Sequence, residues 1–457
     1  MTSPSLVWLR DDLRLADNPA LVAAVDRGEP VAVVYVLDES GQGVRAPGSA
    51  AKWWLHHSLA SLATSLASIG GALVLRRGDA AVEIPKLVDE LGAGAVFWNR
   101  RYGAARELDA GLKASLRESG LEVSSFQANL LFEPWTITTA EGNPYRVFTP
   151  FWRACLERGK VREPLDAPSS IRLATAPGDT LDDWALLPTK PDWAGGLREW
   201  CAPGEDNAHE RLERFADEVL EDYHRRDEPG RETTSGLSPH LRFGEISPFQ
   251  VWQRLHQHLD PRAGKNAAKF LSEVGWREFN WNILYNFPEL HERNYRSAFD
   301  AFPWADTPEW EIDAWRHGKT GVPLVDAGMR ELWHTGTMHN RVRMVTASFL
   351  IKNLLVDWRV GEAWFWDTLV DADEANNPAN WQWVAGSGAD AAPYFRVFNP
   401  VLQAQKFDKG GRYIRRWVPE LEAGEYPLEP IVDLAQSRRD ALKAYDTMKA
   451  TADTPVD

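Results

Sequence analysis

Five apolar runs of strand length punctuate the first third of the chain: Ser5 to Leu9, Val31 to Leu37, Ala72 to Leu75, Ala95 to Trp98 and Leu121 to Phe126. Between them lie stretches with helical spacing, notably Ala50 to Ser68 and a helix opened by Asn18 and Pro19. Apolar strands that alternate with amphipathic helices predict a parallel sheet covered on both faces, a Rossmann-like α/β domain over residues 1–130. From Leu131 to residue 205 no period is sustained and Pro, Gly, Asp and Trp accumulate, which predicts an interdomain connector. Over residues 206–450 strand alternation vanishes and helical periods dominate, so the second domain is expected to be all-α. Ser238 with Pro239 and Ser247 with Pro248 each read as an N-cap followed by proline at the first helical position. A polar tail after Ala450 is expected to fray.

The length of 457 residues agrees with two domains, since one hydrophobic core stops growing at roughly 250 to 300 residues. With 44% hydrophobic residues, no long apolar run and no basic, apolar leader, the chain reads as a cytoplasmic protein with no membrane segment. Cys155 and Cys201 are the only cysteines, too few for a disulfide framework or a paired zinc motif. A net charge of −15 argues against nucleic acid at first sight. The bases are unevenly spread, however: Arg396, Lys406, Lys409, Arg412, Arg415 and Arg416 face a single intervening acid, Asp408. Arg225, Arg226 and Arg231 form a second group, and His339, Arg341 and Arg343 a third. Basic patches on an acidic body fit a DNA reader, and structural ion pairs fit them equally.

Two nucleotide motifs fail. Gly318, Lys319 and Thr320 end like a phosphate loop, but Asp313 stands where its opening glycine belongs. Gly41 and Gly43 follow a strand, yet the next glycine is Gly48, out of register for a dinucleotide fingerprint. Thr234, Ser235, Gly236, Leu237 and Ser238 put three hydroxyls before a proline-started helix, suited either to a diphosphate or to plain capping. Glu273, Trp276, Arg277 and Asn280 share a helical face that could stack and hydrogen-bond a base, or merely form a polar stripe. Asn340, Arg343 and Met344 share another, and Arg343 in so apolar a helix needs an anion, with Asp371 and Asp373 as candidates. Those aspartates also admit a metal reading, although no histidine lies nearby.

Taken together, these segments resemble the photolyase and cryptochrome family, most closely class I photolyases for cyclobutane pyrimidine dimers. The likeness starts at Trp8 to Arg14 and Asp17 to Leu21 and is strongest at Trp276 to Phe279, Gly318 to Pro323, Met338 to Phe349 and Asp371 to Trp383. It continues through Asp390, Ala391, Ala392, Pro393, Tyr394, Phe395 and Arg396 to Phe398, Asn399 and Pro400.

The resemblance implies FAD bound by the helical domain through Tyr223, Thr234, Ser235, Gly236, Leu237, Ser238, Phe270, Arg277, Arg343, Asp371, Ala372 and Asp373, with Asn377 facing the flavin N5. Family members often carry tryptophan where Phe270 stands. Glu273, Trp276, Asn280, Asn340, Met344 and Trp383 would line a cavity for a flipped-out dimer in UV-damaged DNA, while Arg226, Arg341 and Gln403 would contact the DNA. Glu273, Asn340 and Met344 would serve the chemistry, an electron passing from excited reduced FAD to the dimer and back with no net redox change. Trp381, Trp358 and Trp304 match the family's electron relay. A monomer without a metal is expected. The rivals are a (6-4) photolyase, whose pocket carries histidines where Asn340 and Met344 stand, and a cryptochrome photoreceptor, which usually has a long C-terminal extension or lacks the Glu and Trp pair. A second, antenna chromophore is implied as well. Folate-binding members carry an Asn and Glu pair after the tyrosine matched by Tyr102, and here Ala105 and Arg106 replace it. An 8-hydroxy-deazaflavin is therefore favoured over methenyltetrahydrofolate, with a flavin or an empty site as the alternatives.

Overall fold

Strand β1 (Ser5–Leu9) is the centre of a five-stranded parallel sheet in the order β3-β2-β1-β4-β5, completed by β2 (Val31–Leu37), β3 (Leu73–Arg77), β4 (Ala95–Asn99) and β5 (Glu122–Phe126). Trp8 is in register with Val34 on one side and Trp98 on the other. β1, β2 and β4 are buried almost throughout, as their unbroken apolar runs require. The helices α1 (Pro19–Asp26), α2 (Ser49–Ser68), α3 (Ala80–Leu91) and α4 (Arg106–Glu118) connect the strands. Asn18 caps α1 by accepting the Leu21 N–H at 3.2 Å. The computed structural model describes residues 3–257, 264–391, 395–427 and 429–452. Ala392, Pro393 and Tyr394 of the family signature, and the tail after residue 452, lie outside the described residues.

In a doubly wound sheet the switch point lies beyond the central strands, here β1 and β4. A buried polar network fills it. Asn99 donates to Asp12 at 2.6 Å and to Asn18 at 2.8 Å. The fully buried Arg14 donates to the carbonyls of Asp17, Ala128 and Gly244 at 2.8, 3.2 and 2.9 Å. The segment Trp8 to Leu21 is thus a staple between the sheet and the helices that follow.

The stretch read as a connector contains an unexpected helix, α5 (Phe148–Arg158), that buries Phe148, Phe151 and Cys155, and a short α6 (Gly195–Trp200). Beyond it the described residues form helices and no strand, the α-helices being α7 (Glu205–Arg214), α8 (Ser238–Phe243), α9 (Pro248–His256), α10 (Gly264–Asn286), α11 (Glu309–Arg316), α12 (Pro323–Thr335), α13 (Asn340–Ser348), α14 (Trp358–Thr368), α15 (Asn376–Ala385), α16 (Pro400–Phe407), α17 (Arg412–Trp417) and α18 (Leu434–Ala452). Gly361 permits a close approach between α14 and α15. A Cβ there would stand 2.1 Å from the Trp381 indole. Thr320 is buried and gives its N–H and hydroxyl to Asp326 at 2.8 and 2.6 Å, so Gly318 to Pro323 anchors α12 and holds no phosphate. Among the described residues no helix is long and apolar enough to cross a membrane.

Candidate functional site

The loop between α14 and α15 brings the first group of expected residues together. Asp371 Oδ2 accepts from Arg343 at 2.9 Å and from the Ser238 hydroxyl at 2.6 Å, while Arg343 also holds the Met338 carbonyl at 2.7 Å. The pairing of Arg343 with Asp371 expected from the sequence is therefore present. Asp373 instead closes the turn into α15, accepting from the Ala375 N–H at 2.9 Å and the Asn376 amide at 2.7 Å. The Ala372 carbonyl is taken by Arg242 at 2.8 Å.

Two expectations need correction. Ser238 does not cap α8: Leu237 occupies the cap position, because proline falls at the second helical residue and the Ser238 hydroxyl turns to Asp371. Ser247 is a full cap of α9, its side chain paired reciprocally with Gln250. Arg277 leaves the face of Glu273 and Trp276, since its guanidinium reaches the Asn129 carbonyl at 2.7 Å and lies beside Glu278. Glu278 itself is buried, which pushes its carboxyl up to about 7.

Thr234, Gly236 and Ser238 are exposed beside Asp371, with Leu237 buried beneath and Ser235 accepting the Leu237 N–H at 3.3 Å. Gly236 has φ +64° and a Cβ there would lie 2.4 Å from Arg211 Nη1. Arg211, on α7, was not singled out from the sequence. It forms no ion pair among the described residues, although burial depresses its guanidinium. Tyr223 and Phe270 meet edge to face at 5.4 Å in one buried cluster. Further along, the Asn377 amide nitrogen donates to the Glu362 carboxylate at 2.8 Å and to its backbone carbonyl at 3.0 Å.

A second group forms one chain of contacts. Glu273 accepts from Lys269 at 2.8 Å and lies 3.8 Å from Arg226, whose carbonyl is bound by His339 at 2.8 Å. His339 accepts the Arg341 N–H at 3.2 Å and so caps α13, and the Arg341 side chain pairs with Asp227 at 3.0 Å and touches Met344 sulfur at 3.9 Å. Asn340 is exposed at the head of this helix. Three residues along α10 from Glu273, Trp276 lines one cleft with Asn280 and Trp383, whereas Glu273, Asn340 and Met344, expected in the same cavity, do not line it. Trp276 stacks on Phe148 at 4.0 Å, Asn280 holds Asn376 at 2.8 Å, and Trp383 donates to the Asp390 carbonyl at 3.1 Å. Gln403 sits half-buried on α16.

The three relay candidates share one apolar cluster. Trp381 and Trp358 are buried, and Trp304 packs half-exposed on its edge, 4.4 Å from Phe302. Trp358 donates to Asn294 at 2.9 Å, whereas the buried Trp381 N–H has no acceptor among the described residues. In the region expected to hold an antenna, Tyr102 and Ala105 are buried and Arg106 is committed to the Tyr285 carbonyl at 2.6 Å, over whose ring it lies at 4.2 Å.

The donor set around Asp371 fits FAD on the structure's own terms. Asp371 Oδ1 is buried without a hydrogen-bond partner among the described residues, the Ser238 hydroxyl and Arg343 already reach its other oxygen, and the Arg211 guanidinium, without a carboxylate, stands against Gly236 two residues before Ser238.

Comparison with known proteins agrees. The DNA photolyase family matches residues 5–169, and the FAD binding domain of DNA photolyase matches residues 270–426. A deoxyribodipyrimidine photo-lyase of Agrobacterium fabrum is 50% identical, over 98% of this chain and 99% of its own. Cryptochrome-1 of Arabidopsis thaliana is 39% identical over 91% of this chain and 63% of its own. A solved bacterial class III photolyase from Agrobacterium tumefaciens superposes with a TM-score of 0.94 at 50% identity, each chain covered to 98%. That neighbour is of class III, where the sequence motifs had suggested class I.

Proposed function

The chain belongs to the DNA photolyase and cryptochrome family, and from that premise we propose that it is a deoxyribodipyrimidine photo-lyase that uses light and reduced FAD to split cyclobutane pyrimidine dimers in DNA. The observation that carries the reading is the contact chain from Glu273 through Arg226, His339 and Arg341 to Met344, set beside a cleft walled by Trp276 and Trp383. Cations, a carboxylate, a thioether and two indoles suit a lesion turned out of the duplex. A crosslinked pair stacks and pairs poorly, so its extrusion costs less than that of normal bases.

Each residue then has a task. Arg226 and Arg341 hold phosphates flanking the lesion and Gln403 contacts the strand. Trp276 and Trp383 bracket the dimer, and Asn280 holds Asn376 against the same wall. Glu273, paired with Lys269 and Arg226, accepts an imide N–H of the dimer and so fixes the orientation of its ring. Asn340 and Met344 complete the pocket. Neither titrates near neutrality, which disfavours the proton transfers a (6-4) product demands. The exposed hydroxyls at Thr234 to Ser238, with Asp371 and Arg343, would hold the FAD; when bound and reduced it supplies the light-excited electron. Trp381, Trp358 and Trp304 would carry electrons inward from the surface, Trp304 being the half-exposed member. A cryptochrome role is the reading set aside, because Glu273 and Trp276 are both in place.

The sheet domain over 1–130, a connector over 131–205 and the helical domain over 206–450 divide antenna from chemistry in this reading, and the protein acts as a cytoplasmic monomer. The 50% identity with a class III enzyme favours class III over class I. Arg106 is a donor engaged by Tyr285, so a folate held by an acceptor at that position is not available, and 8-hydroxy-deazaflavin stays the preferred antenna. Extraction and mass analysis of chromophores, with FAD as internal standard, decides that point; stoichiometric methenyltetrahydrofolate overturns it. Function is tested by illuminating the purified, reduced protein with DNA carrying a single dimer. Lesion loss that requires light is expected, and none would remove the proposal.

A further inference from the structure

Arg45 lies in the loop that follows β2, in the α/β half of the chain, yet its guanidinium grips a carboxylate in the helical half. Nη1 and Nη2 meet Glu362 Oε1 and Oε2 at 2.7 and 2.9 Å, a bidentate pair in which the Glu362 side chain is only 3% exposed. The fork is held from its other face by Trp366, whose ring lies 3.8 Å beneath the guanidinium carbon and whose N–H donates to the Ala46 carbonyl at 2.9 Å. Ser49 fastens the end of the same loop to Asp367 at 2.8 Å through its N–H.

Glu362 is also the acceptor for Asn377. Both atoms facing the Asn377 amide, the carboxylate Oε1 and the Glu362 carbonyl, can only accept, so the side-chain NH2 must point at them. The Asn377 carbonyl oxygen is thereby turned the other way. Resting on the photolyase reading, in which Asn377 faces the flavin N5, we propose that Arg45 is a positioning residue contributed by the α/β domain: by fixing and neutralising Glu362 it orients the Asn377 amide and sets the reduction potential of the bound flavin. It touches neither substrate nor flavin and acts through Glu362 alone. His291, in the segment after α10, lies close enough to interact with Arg45 and Glu362 as well as with its neighbour Glu292. His291 is lowered first by burial and then by Arg45 itself, so it carries no positive charge at mildly alkaline pH.

Two substitutions should shift the potential in opposite directions. Arg45→Met leaves a buried carboxylate without its cation, which opposes adding negative charge to a neighbouring flavin, and lowers the midpoint potential. Glu362→Gln leaves the cation instead and raises it. Arg45→Lys keeps the charge and returns the potential most of the way to wild type. In Arg45→Met with Glu362→Gln, both charges are gone and the potential lies between those of the single variants, closer to wild type than either. The measurement is a redox titration of bound flavin at mildly alkaline pH, with flavin content read on the same samples. A wild-type midpoint in Arg45→Met, or shifts of the same sign in both single variants, overturns the proposal. Should Arg45→Met not fold, Arg45→Lys and Glu362→Gln still decide by sign. Wild-type protein purified without any flavin would instead defeat the photolyase reading, so the two failures are distinguishable.

Discussion

His339 Nε2 lies 2.8 Å from the carbonyl of Arg226, and because that oxygen can only accept, the ring carries its proton on Nε2. Nδ1 must then be bare, as its acceptance of the Arg341 N–H at 3.2 Å also requires. One neutral imidazole thus joins the segments bearing both arginines proposed to grip DNA.

Protonation of His339 breaks this arrangement, since a second ring N–H would confront the Arg341 N–H. Burial pushes the imidazole down from 6.5 to about 4. The sign follows from linkage: a depressed folded value means stability that is complete above the unfolded value and is lost as pH falls from 6.5 toward 4. Urea unfolding of wild type between pH 7 and pH 5 should show that loss. His339→Asn retains a cap acceptor but does not titrate, so its profile should be flatter over the same range. Equal slopes would detach the effect from His339.

Trp276→Ala should weaken binding of dimer-containing DNA roughly tenfold or more, since stacking is worth about 1–3 kcal/mol per base. The indole also stacks on Phe148 at 4.0 Å, so some thermal stability should go with it, about 0.5–1.5 kcal/mol for an aromatic pair. Lesion binding and flavin absorbance on one preparation separate the two effects. Loss of flavin would make Trp276 a purely structural residue.

Much of the fold is legible because burial writes itself into composition. Ser5–Leu9 and Val31–Leu37 are unbroken apolar runs and form strands with those limits. Helix α5 was hidden although Phe148, Phe151 and Cys155 keep helical spacing, because only three turns of it stand among Pro- and Gly-rich segments. Site residues were legible where function and position coincide, as in Asp371 with Arg343. They were not where a long side chain chooses a distant partner: Arg277 turns to Asn129, 148 residues away, and Arg45 to Glu362, 317 away. Helical periodicity places a Cα on a face and says nothing of where a guanidinium ends.

Trp304→Phe should block light-driven reduction of oxidised flavin and leave repair by chemically pre-reduced protein close to wild type. Trp304 is the half-exposed member of the cluster that buries Trp358 and Trp381, so it alone can exchange electrons with an external donor. Phenylalanine preserves the packing against Phe302 at 4.4 Å while removing the easily oxidised indole. Flash absorption with and without the donor measures it, and undiminished photoreduction would exclude Trp304 from the relay.

Arg211 offers the sharpest separation of binding from folding. Its guanidinium stands where a side chain at Gly236 would be, 2.4 Å from that Cβ position, and forms no ion pair among the described residues. A half-buried cation without a carboxylate, next to the hydroxyls of Thr234, Ser235 and Ser238, suits the diphosphate of FAD. A hydrogen bond to a charged group contributes about 1.5–3 kcal/mol, so Arg211→Met should weaken FAD binding roughly tenfold to a hundredfold. Riboflavin carries the same ring system and no phosphate, and its affinity should stay unchanged. Arg211→Lys, which keeps the charge without the fork, should recover part of the FAD affinity. The comparison is made by titrating flavin-stripped protein with each ligand and following fluorescence quenching. Equal weakening of FAD and riboflavin would mean that Arg211 shapes the fold around the ring, and no weakening of either would remove it from the diphosphate site.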